Sequence, residues 1–350
     1  MFRMTSLLAG CALSLCATAA FAQELAPLNS DTETDRIDWS ALSDEFGEVP
    51  AAPEDTAVGG VSKTLTNEYW RSLGEGYAAY AEAAGVEFVY QAAQSEGDQL
   101  GQLSIAENLI SQGFDALLFS PQTDSNLQPA LESAEAQDIP VVNVNDAVIP
   151  GARHYVGNVQ RDNGVRIAQW FVENRPDGGK VAVIEGQAGV FAAGQRTDGF
   201  TATIEEAGNF DVVASVPGNW DRQLSYDAAA TILQQHPDLV GFYANNDGMA
   251  LGVVEAVKAA GLQDQVAVFG TDGISDAYDS IRAGELTGTV DSFPVLTGEV
   301  AMEVALRLVG GQDLPRVIAT PQALITADNV EDFAVTSDAL RERLLEDAGN

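Results

Sequence analysis

Thiol and imidazole side chains are scarce in this 350-residue chain. It has only two cysteines, Cys11 and Cys16, and two histidines, His154 and His236, which are far apart in sequence. Zinc sites need several such side chains at close spacing, so the sequence argues against one. Both cysteines fall in an N-terminal segment that we expect to be removed, which leaves the rest of the chain without a disulfide or a reactive thiol.

Basic residues are also few. The chain has 17 Lys and Arg against 52 Asp and Glu, which gives a net charge of −35. Nucleic acids and anionic lipid surfaces attract positively charged proteins, so we expect neither as a partner. The composition instead favours a solvated, freely diffusing protein, which we expect to be a monomer.

Common enzyme motifs are absent from the sequence. There is no G-x-S-x-G elbow, no Walker loop and no G-x-G-x-x-G after a strand, and the Gly-rich stretch "GQAGVFAAG" lacks the Lys-Ser/Thr pair of a phosphate loop. We therefore expect no catalytic residues and no cofactor. Paired carboxylates among so many acids remain the route by which the chain could still be an enzyme.

Long apolar runs are confined to the N-terminus. "MFRMTSLLAGCALSLCATAAFAQ" has one Arg, an apolar run and the small-x-small pattern Ala20-Phe21-Ala22. This pattern predicts a signal peptide over residues 1–22, cleaved after Ala22, and export to the periplasm. The alternative is a lipoprotein box, "LAGC", ending at Cys11, but little apolar sequence precedes it. No other segment has the length and apolarity of a membrane-spanning helix.

The rest of the chain divides into an acidic leader and a long region of alternating strands and helices. Residues 23–57 are rich in Asp, Glu, Pro and Ala and indicate a flexible acidic leader, with one short helix around Trp39 to Phe46. From Val58 onward, short apolar runs such as "ALLFSP", "KVAVIEG" and "VAVFGTDG" alternate with Ala-rich amphipathic segments. Continuous apolar strands separated by helices are typical of parallel sheets covered on both faces, so the predicted fold class is α/β.

Polar residues follow several of the predicted strands. Asn145 and Asp146 come after "VVNV", Asn246 lies in "GFYANND", and Asp272 lies in "AVFGTDG". In parallel sheets, ligands bind beyond the carboxyl ends of the strands, so these residues predict a cleft. The alternative for each is an ordinary helix cap, as for Asp247.

Two aromatic residues stand at the start of the first long helix, in "SKTLTNEYWRSLGEGY". Tyr69, Leu73 and Tyr77 are spaced by four and could form one buried face. Adjacent helical positions point about 100° apart, however, so Tyr69 and Trp70 cannot both belong to a narrow core stripe. We expect at least one of them to face the cleft.

The order of these motifs resembles the ribose-binding protein family of periplasmic substrate-binding proteins, with the type I periplasmic-binding-protein fold. The resemblance covers residues from Val58 to about Asn329 and depends on "TLTNEYWRSLGEG", "IPVVNVND", "GQAGVFAAGQRTDGF", "NWDRQLSYDAAATILQQHPDL", "FYANNDGMALGVVEAVKAAG", "VFGTDG" and "GELTGTVDSFPVLTGEVA". It implies two Rossmann-like lobes with parallel sheets, joined by a three-strand hinge, that close on a sugar.

The lobe boundaries implied by this resemblance divide the chain in sequence. The first lobe would hold 58–157 and 293–316, and the second would hold 158–292 and 317–329. The remaining residues, 330–350, would form a C-terminal tail that could be helical.

The resemblance also implies a set of ligand-binding residues: Lys63, Asn67, Tyr69, Trp70, Asn145, Asp146, Arg196, Trp220, Asn246, Asp272 and Ser292. Phe191 is a further candidate that fits cleft lining and simple packing equally well. Aromatic rings can stack on the apolar faces of a sugar, while carboxylates, amides and Arg can bind its hydroxyls. A packed corner is the alternative for Trp220.

Several positions depart from the ribose-binding pattern. Asn145-Asp146 stands where an Asp-Arg pair is common, Lys63 replaces a small polar residue, Glu68 replaces a Pro, and Ser292 replaces a Gln. We predict that Lys63 pairs with Asp146, because a buried lysine without a counter-charge is costly; the alternative is a solvent-facing Lys63. These changes argue against ribose and favour another pentose, a hexose or a sugar alcohol, with a furanosyl signalling molecule as a further alternative.

The resemblance implies a solute-binding protein that captures a sugar or polyol and delivers it to an inner-membrane ABC permease. The alternative is a periplasmic receptor of the same construction that signals to a membrane chemoreceptor or sensor kinase. The two functions would use the same pocket and differ in the rims that face the partner.

Overall fold

The computed structural model describes residues 25–348. The predicted signal peptide, its cleavage after Ala22 and the alternative at Cys11 lie outside the described residues. Between residues 25 and 348, no helix is both long enough and apolar enough to cross a membrane.

A seven-stranded parallel sheet forms the centre of the first lobe, in the spatial order β1-β12-β6-β5-β4-β2-β3. Its strands are β1 (Arg36–Asp38), β2 (Ala57–Ser62), β3 (Glu87–Ala92), β4 (Ala116–Phe119), β5 (Val141–Val144), β6 (His154–Gly157) and β12 (Val317–Ala319). Strand β4, whose sequence is wholly apolar, and strand β5, which carries Asn143 among its valines, are buried at every position.

A six-stranded sheet forms the centre of the second lobe, in the order β13-β11-β10-β9-β7-β8, with β13 antiparallel to β11 and the other pairs parallel. Its strands are β7 (Gly179–Glu185), β8 (Phe210–Pro217), β9 (Leu239–Ala244), β10 (Ala267–Asp272), β11 (Gly288–Asp291) and β13 (Ala323–Thr326). The predicted α/β class and the two-lobed type I periplasmic-binding-protein fold are confirmed.

Helices cover the two sheets. They are α1 (Leu42–Phe46), α2 (Glu68–Ala84), α3 (Gln99–Gln112), α4 (Gln128–Glu135), α5 (Gln160–Asn174), α6 (Phe191–Ala207), α7 (Arg222–Gln235), α8 (Asp247–Ala260), α9 (Ser275–Arg282), α10 (Pro294–Val309), α11 (Val330–Phe333) and α12 (Ser337–Ala348). Several end at a glycine in the left-handed conformation, such as Gly85 after α2 and Gly261 after α8, where a side chain would be strained.

The chain crosses between the lobes three times, after β6, after β11 and after β12. The third crossing differs from the sequence prediction, which placed it after residue 316. Strand β12 belongs to the first lobe because it pairs with β6, Val317 opposite Tyr155, and with β1 on its other edge. The chain therefore passes into the second lobe between Ala319 and Ala323.

The predicted flexible leader is instead a packed part of the first lobe from residue 25 onward. Strand β1 extends the sheet, a 3-10 turn over Trp39–Ala41 leads into α1, and the side chains of Leu28, Trp39 and Leu42 are buried. Arg316, itself buried, donates a hydrogen bond to the carbonyl of Ala26. These apolar side chains of an acidic segment face the lobe, which the overall composition of the segment does not indicate.

The C-terminal tail is helical over α11 and α12. Leu344 of α12 is buried, and Arg341 forms an ion pair of 3.1 Å with Glu299 of α10 while lying 5.2 Å from the centre of the Trp39 ring. Phe333 of α11 stacks on Phe293 at 5.8 Å. The tail thus contacts the second crossover, at Phe293, and the first lobe.

A buried carboxyl group, that of Asp291, lies directly before the second crossover. The Tyr278 hydroxyl donates to Asp291 at 2.8 Å and the Phe293 amide donates at 2.7 Å. Burial nevertheless dominates and raises the pKa of Asp291 to about 8. The folded state therefore holds a proton here that the unfolded chain releases near pH 4.

We predict that Asp291→Asn flattens the pH dependence of stability. A raised carboxyl pKa stabilises the fold below pH 4, and this contribution falls by about 1.4 kcal/mol per pH unit until it is lost near pH 8. The free energy of unfolding of the native protein, measured by urea denaturation from pH 5 to 9, should therefore decline relative to the variant. Parallel curves would contradict a protonated Asp291.

Candidate functional site

A cavity lies between the lobes at the carboxyl ends of the strands. It is narrow and is lined by Lys63, Asn67, Tyr69, Trp70, Glu96 and Asp146 from the first lobe and by Arg196, Trp220, Asn246 and Asp272 from the second. Nine of these ten residues are among those predicted from the sequence. The strand ends converge here because parallel strands all finish at the same edge of their sheet.

The first-lobe wall is aromatic. Both Tyr69 and Trp70 are buried, and their rings meet edge to face with centroids 4.9 Å apart. The Tyr90 hydroxyl donates to the Trp70 carbonyl at 2.8 Å and so fixes the first turn of α2. Both aromatic side chains line the cavity.

Lys63 follows β2 and is 1% exposed. Its ammonium nitrogen lies 2.7 Å from a carboxylate oxygen of Asp146, which confirms the predicted pair and excludes a solvent-facing lysine. The same nitrogen lies 5.5 Å from the Trp70 ring and 5.6 Å from the Trp220 ring. Lys63 therefore stands between an aromatic group of each lobe, with its charge already compensated.

Arg196 and Asp272 form the charged part of the second-lobe wall. Arg196 donates to the Gln160 side chain at 2.9 Å and to the Asn245 carbonyl at 2.7 Å, which leaves Asp272 at 3.8 Å. Burial raises the pKa of Asp272 well above its ordinary value, and the Arg196 charge opposes that rise. The backbone of Asp272 has φ of 138°, a strained value for a residue with a side chain.

Two asparagines combine a cap with a place in the cavity wall. Asn67 caps α2 by accepting from the Tyr69 amide at 3.0 Å, and Asn246 caps α8 by accepting from the Met249 amide at 2.9 Å. The cap of α8 is thus Asn246, not Asp247 as the sequence indicated. In each residue the oxygen is used by the cap, which leaves the NH₂ group to donate elsewhere.

Trp220 lies in the loop between β8 and α7, with φ of 64°. Its indole N–H is buried and has no hydrogen-bond partner among the residues that the structure describes. The ring lies against Gly186, where a β-carbon would approach it to 2.0 Å. The ring lines the cavity and also packs against the turn that follows β7.

Three predicted residues are not on the cavity wall. Asn145 lies one layer behind it, hydrogen-bonded to the Tyr69 hydroxyl and accepting from Gln160 at 2.7 Å. Phe191 begins α6 and packs against the core of the first lobe, and Ser292 is fully buried at the second crossover. Their sequence positions are close to the site, but their side chains belong to neighbouring layers.

Glu96 lines the cavity and was not predicted. It follows β3 in the loop "QSEGD", two residues before Asp98, which caps α3. It lies four residues beyond Ala92, the last residue of the strand, so the position of the strand end does not predict it.

Contacts across the cleft hold the two lobes together at its rims. On one side the Glu68 carboxylate accepts from the Ser275 amide and from the Ser275 hydroxyl, both at 2.9 Å. On the other side Asp124 accepts from the Phe191 amide at 2.9 Å. The structure is therefore that of the closed form.

Comparison with known protein families identifies the family of this chain. Residues 58–313 match the model of the periplasmic binding protein domain. The chain belongs to this family. Its resemblance to the ribose-binding proteins is confirmed by relatives that bear ribose and allose in their names.

Two relatives and one solved structure show the extent of the similarity. The D-allose-binding periplasmic protein of Escherichia coli is 34% identical over 70% of this chain and 81% of its own length. The D-ribose/D-allose-binding protein of Pseudomonas aeruginosa is 32% identical over 79% and 90%. A solved ABC transporter solute-binding protein from Actinobacillus succinogenes with bound D-allose, 29% identical, superposes with a TM-score of 0.76 over 79% of this chain and all of its own. Members of the family are thus similar to this chain both in sequence and in fold.

Proposed function

We propose that this protein binds a neutral sugar or sugar alcohol between its lobes and delivers it to an ABC importer. The observation that carries the proposal is the composition of the cavity, in which aromatic rings of both lobes stand beside carboxylates, amides and a guanidinium. Rings can cover the apolar faces of a sugar while the polar groups bind its hydroxyls. Tyr69, Trp70 and Trp220 have the first role, and Asn67, Arg196, Asn246 and Asp272 have the second.

The charge of the cavity supports a neutral ligand. Three carboxyl groups line it against two cations, and Lys63 is already paired with Asp146. The carboxyl groups outnumber the cations by one, so an anionic ligand would meet an excess of like charge, which costs binding energy. The relatives named for D-allose and D-ribose point to the same class, and the departures at Lys63 and Asp146 favour a ligand other than ribose.

In this proposal the protein is first exported and then binds its ligand by closure of the lobes. Cleavage after Ala22 would release the chain into the periplasm, where the loaded, closed form would dock on a membrane permease. The mass of the protein purified from the periplasm tests the cleavage site directly.

Thermal unfolding with a panel of candidate ligands tests the binding function. The panel contains D-allose, D-ribose, other pentoses and hexoses, xylitol, sugar acids and amino acids. A ligand present at 100 times its dissociation constant adds about 2.7 kcal/mol to the stability of the fold. We expect a clear rise in Tm with one neutral sugar or polyol and none with sugar acids; a rise only with amino acids, or with no member of the panel, would refute the proposal.

Closure of the lobes also depends on Glu68, which lies outside the cavity and joins the two lobes at its rim through Ser275. Glu68→Ala removes both hydrogen bonds to Ser275 and should weaken binding of the tightest sugar by about 5- to 150-fold, because each hydrogen bond contributes a net of about 0.5–1.5 kcal/mol. Calorimetric titration measures the effect. Glu75→Ala, at an exposed position of the same helix, is the control and should leave the affinity unchanged.

A further inference from the structure

The loop after β3 holds the Glu96 side chain at the cavity. Gln122, which is fully buried, accepts a hydrogen bond from the Gly97 amide at 2.8 Å and donates to the Ser95 carbonyl at 3.0 Å. Its NH₂ group also donates to the Lys63 carbonyl at 2.8 Å. The residues on both sides of Glu96 are therefore tied to the end of β2, so the loop is fixed relative to the cavity wall.

The two carboxylate oxygens of Glu96 have different surroundings. One accepts from the Trp70 indole N–H at 3.1 Å, while the other is buried without a hydrogen-bond partner within residues 25–348. Burial raises the pKa of Glu96, and the nearby Lys63 charge and the Trp70 and Asn67 side chains oppose that rise. The Asn67 side chain lies close to this carboxylate but makes no hydrogen bond of normal geometry with its second oxygen. A buried acceptor left unpaired is costly unless a bound molecule donates to it.

Trp70 sets the direction of the free oxygen. Because the indole N–H holds one oxygen of Glu96, rotation of the carboxylate to find a partner for the other would break that bond. Glu96 lines the same cavity as Asn67 and Asp146 of its own lobe. An acceptor held in this way requires a donor at one position of the ligand.

We infer that the free carboxylate oxygen of Glu96 accepts a hydrogen bond from one hydroxyl of the bound sugar or polyol, so that Glu96 selects ligands carrying a hydroxyl at that position. The inference rests on the proposed function and adds to it a residue that determines specificity. A sugar lacking that hydroxyl leaves the oxygen unpaired, and a sugar acid with a carboxylate there meets a like charge.

The test is a cycle of variants and ligand analogues. D-allose, D-ribose, xylitol and myo-inositol are titrated by calorimetry, and the tightest of the four is then compared with its monodeoxy analogues, each lacking one hydroxyl. In the native protein one analogue should bind at least about tenfold more weakly because of Glu96. In Glu96→Ala the parent should lose about 10- to 100-fold, and that same analogue should bind no worse than the parent.

Glu96→Gln separates a direct contact from support of Trp70. The glutamine keeps an acceptor for the indole N–H and the shape of the wall, so its loss should be smaller than that of the alanine variant. Glu87→Gln, at an exposed position of β3, should bind like the native protein. If each monodeoxy analogue loses as much affinity relative to the parent in Glu96→Ala as in the native protein, the inference is overturned and the binding function stands. Failure of all four compounds to bind the native protein would refute both.

Discussion

Removing the Asp272 side chain is expected to weaken sugar binding by at least about 100-fold, because several interactions are lost together. Asp272 is buried on the second-lobe wall of the cavity, 3.8 Å from Arg196. In Asp272→Ala the ligand hydroxyls lose acceptors worth about 1.5–3 kcal/mol each, and the Arg196 charge loses its counter-ion. Calorimetric titration with the tightest sugar of the panel measures the change.

Two further variants test whether the loss of affinity in Asp272→Ala comes from the missing carboxylate. Asp272→Asn keeps the shape and one oxygen, so its loss should be smaller than that of the alanine variant. Asp276→Ala, at an exposed position shortly after Asp272, should bind normally. Unfolding curves must show that Asp272→Ala is folded; a folded variant with native affinity would remove Asp272 from the site.

The largest effect on stability is expected at Gly199, where α5 and α6 cross. A β-carbon at Gly199 would lie 2.2 Å from the Arg161 carbonyl oxygen, and one at Gly164 would lie 2.0 Å from the Arg196 carbonyl oxygen. Both neighbours are backbone atoms, so the helices must separate to admit a methyl group. Gly199→Ala should therefore lower the free energy of unfolding by about 3 kcal/mol, the upper range of overpacking.

The same helix supplies a matched control for this substitution. Gly194 is exposed on α6, and a β-carbon added there would meet no other atom within 4 Å, so Gly194→Ala should stabilise the fold by up to about 1 kcal/mol. Urea denaturation of both variants measures the difference. Because Arg196 lies on α6 about one turn before Gly199, the Gly199 variant should also bind sugar more weakly. Equal stability of the two variants would contradict the close crossing.

Part of the candidate site could be predicted from the sequence because it follows strand ends. Asp146, Asn246 and Asp272 closely follow or end apolar strands, and parallel pairing brings such positions to one edge whatever the loops do. Lys63 and Asp146 could be paired on the ground that a buried lysine needs a counter-charge, and the ion pair is present.

The exceptions depend on contacts distant in sequence. Phe191 and Ser292 occupy positions next to the site, but the packing of α6 on the first lobe and the path of the second crossover turn their side chains away. Glu96 faces the cavity because Gln122, 25 residues after Gly97, holds its loop. No local pattern distinguishes these cases.

The sequence by itself determined the α/β fold, the strands of both lobes that are long and apolar, and the family. The fold class and the strands follow from hydrophobic periodicity and strand ends, which are local, whereas the family follows from the resemblance of the ordered motifs to the ribose-binding proteins. The tertiary structure alone decided that the acidic segment before β2 packs on the first lobe, that β12 stays in the first lobe, and that Glu96 faces the cavity. Each of these depends on pairing or hydrogen bonds between residues far apart in the chain, and short segments such as β1 and β12 carry too few residues for their own pattern to specify a partner.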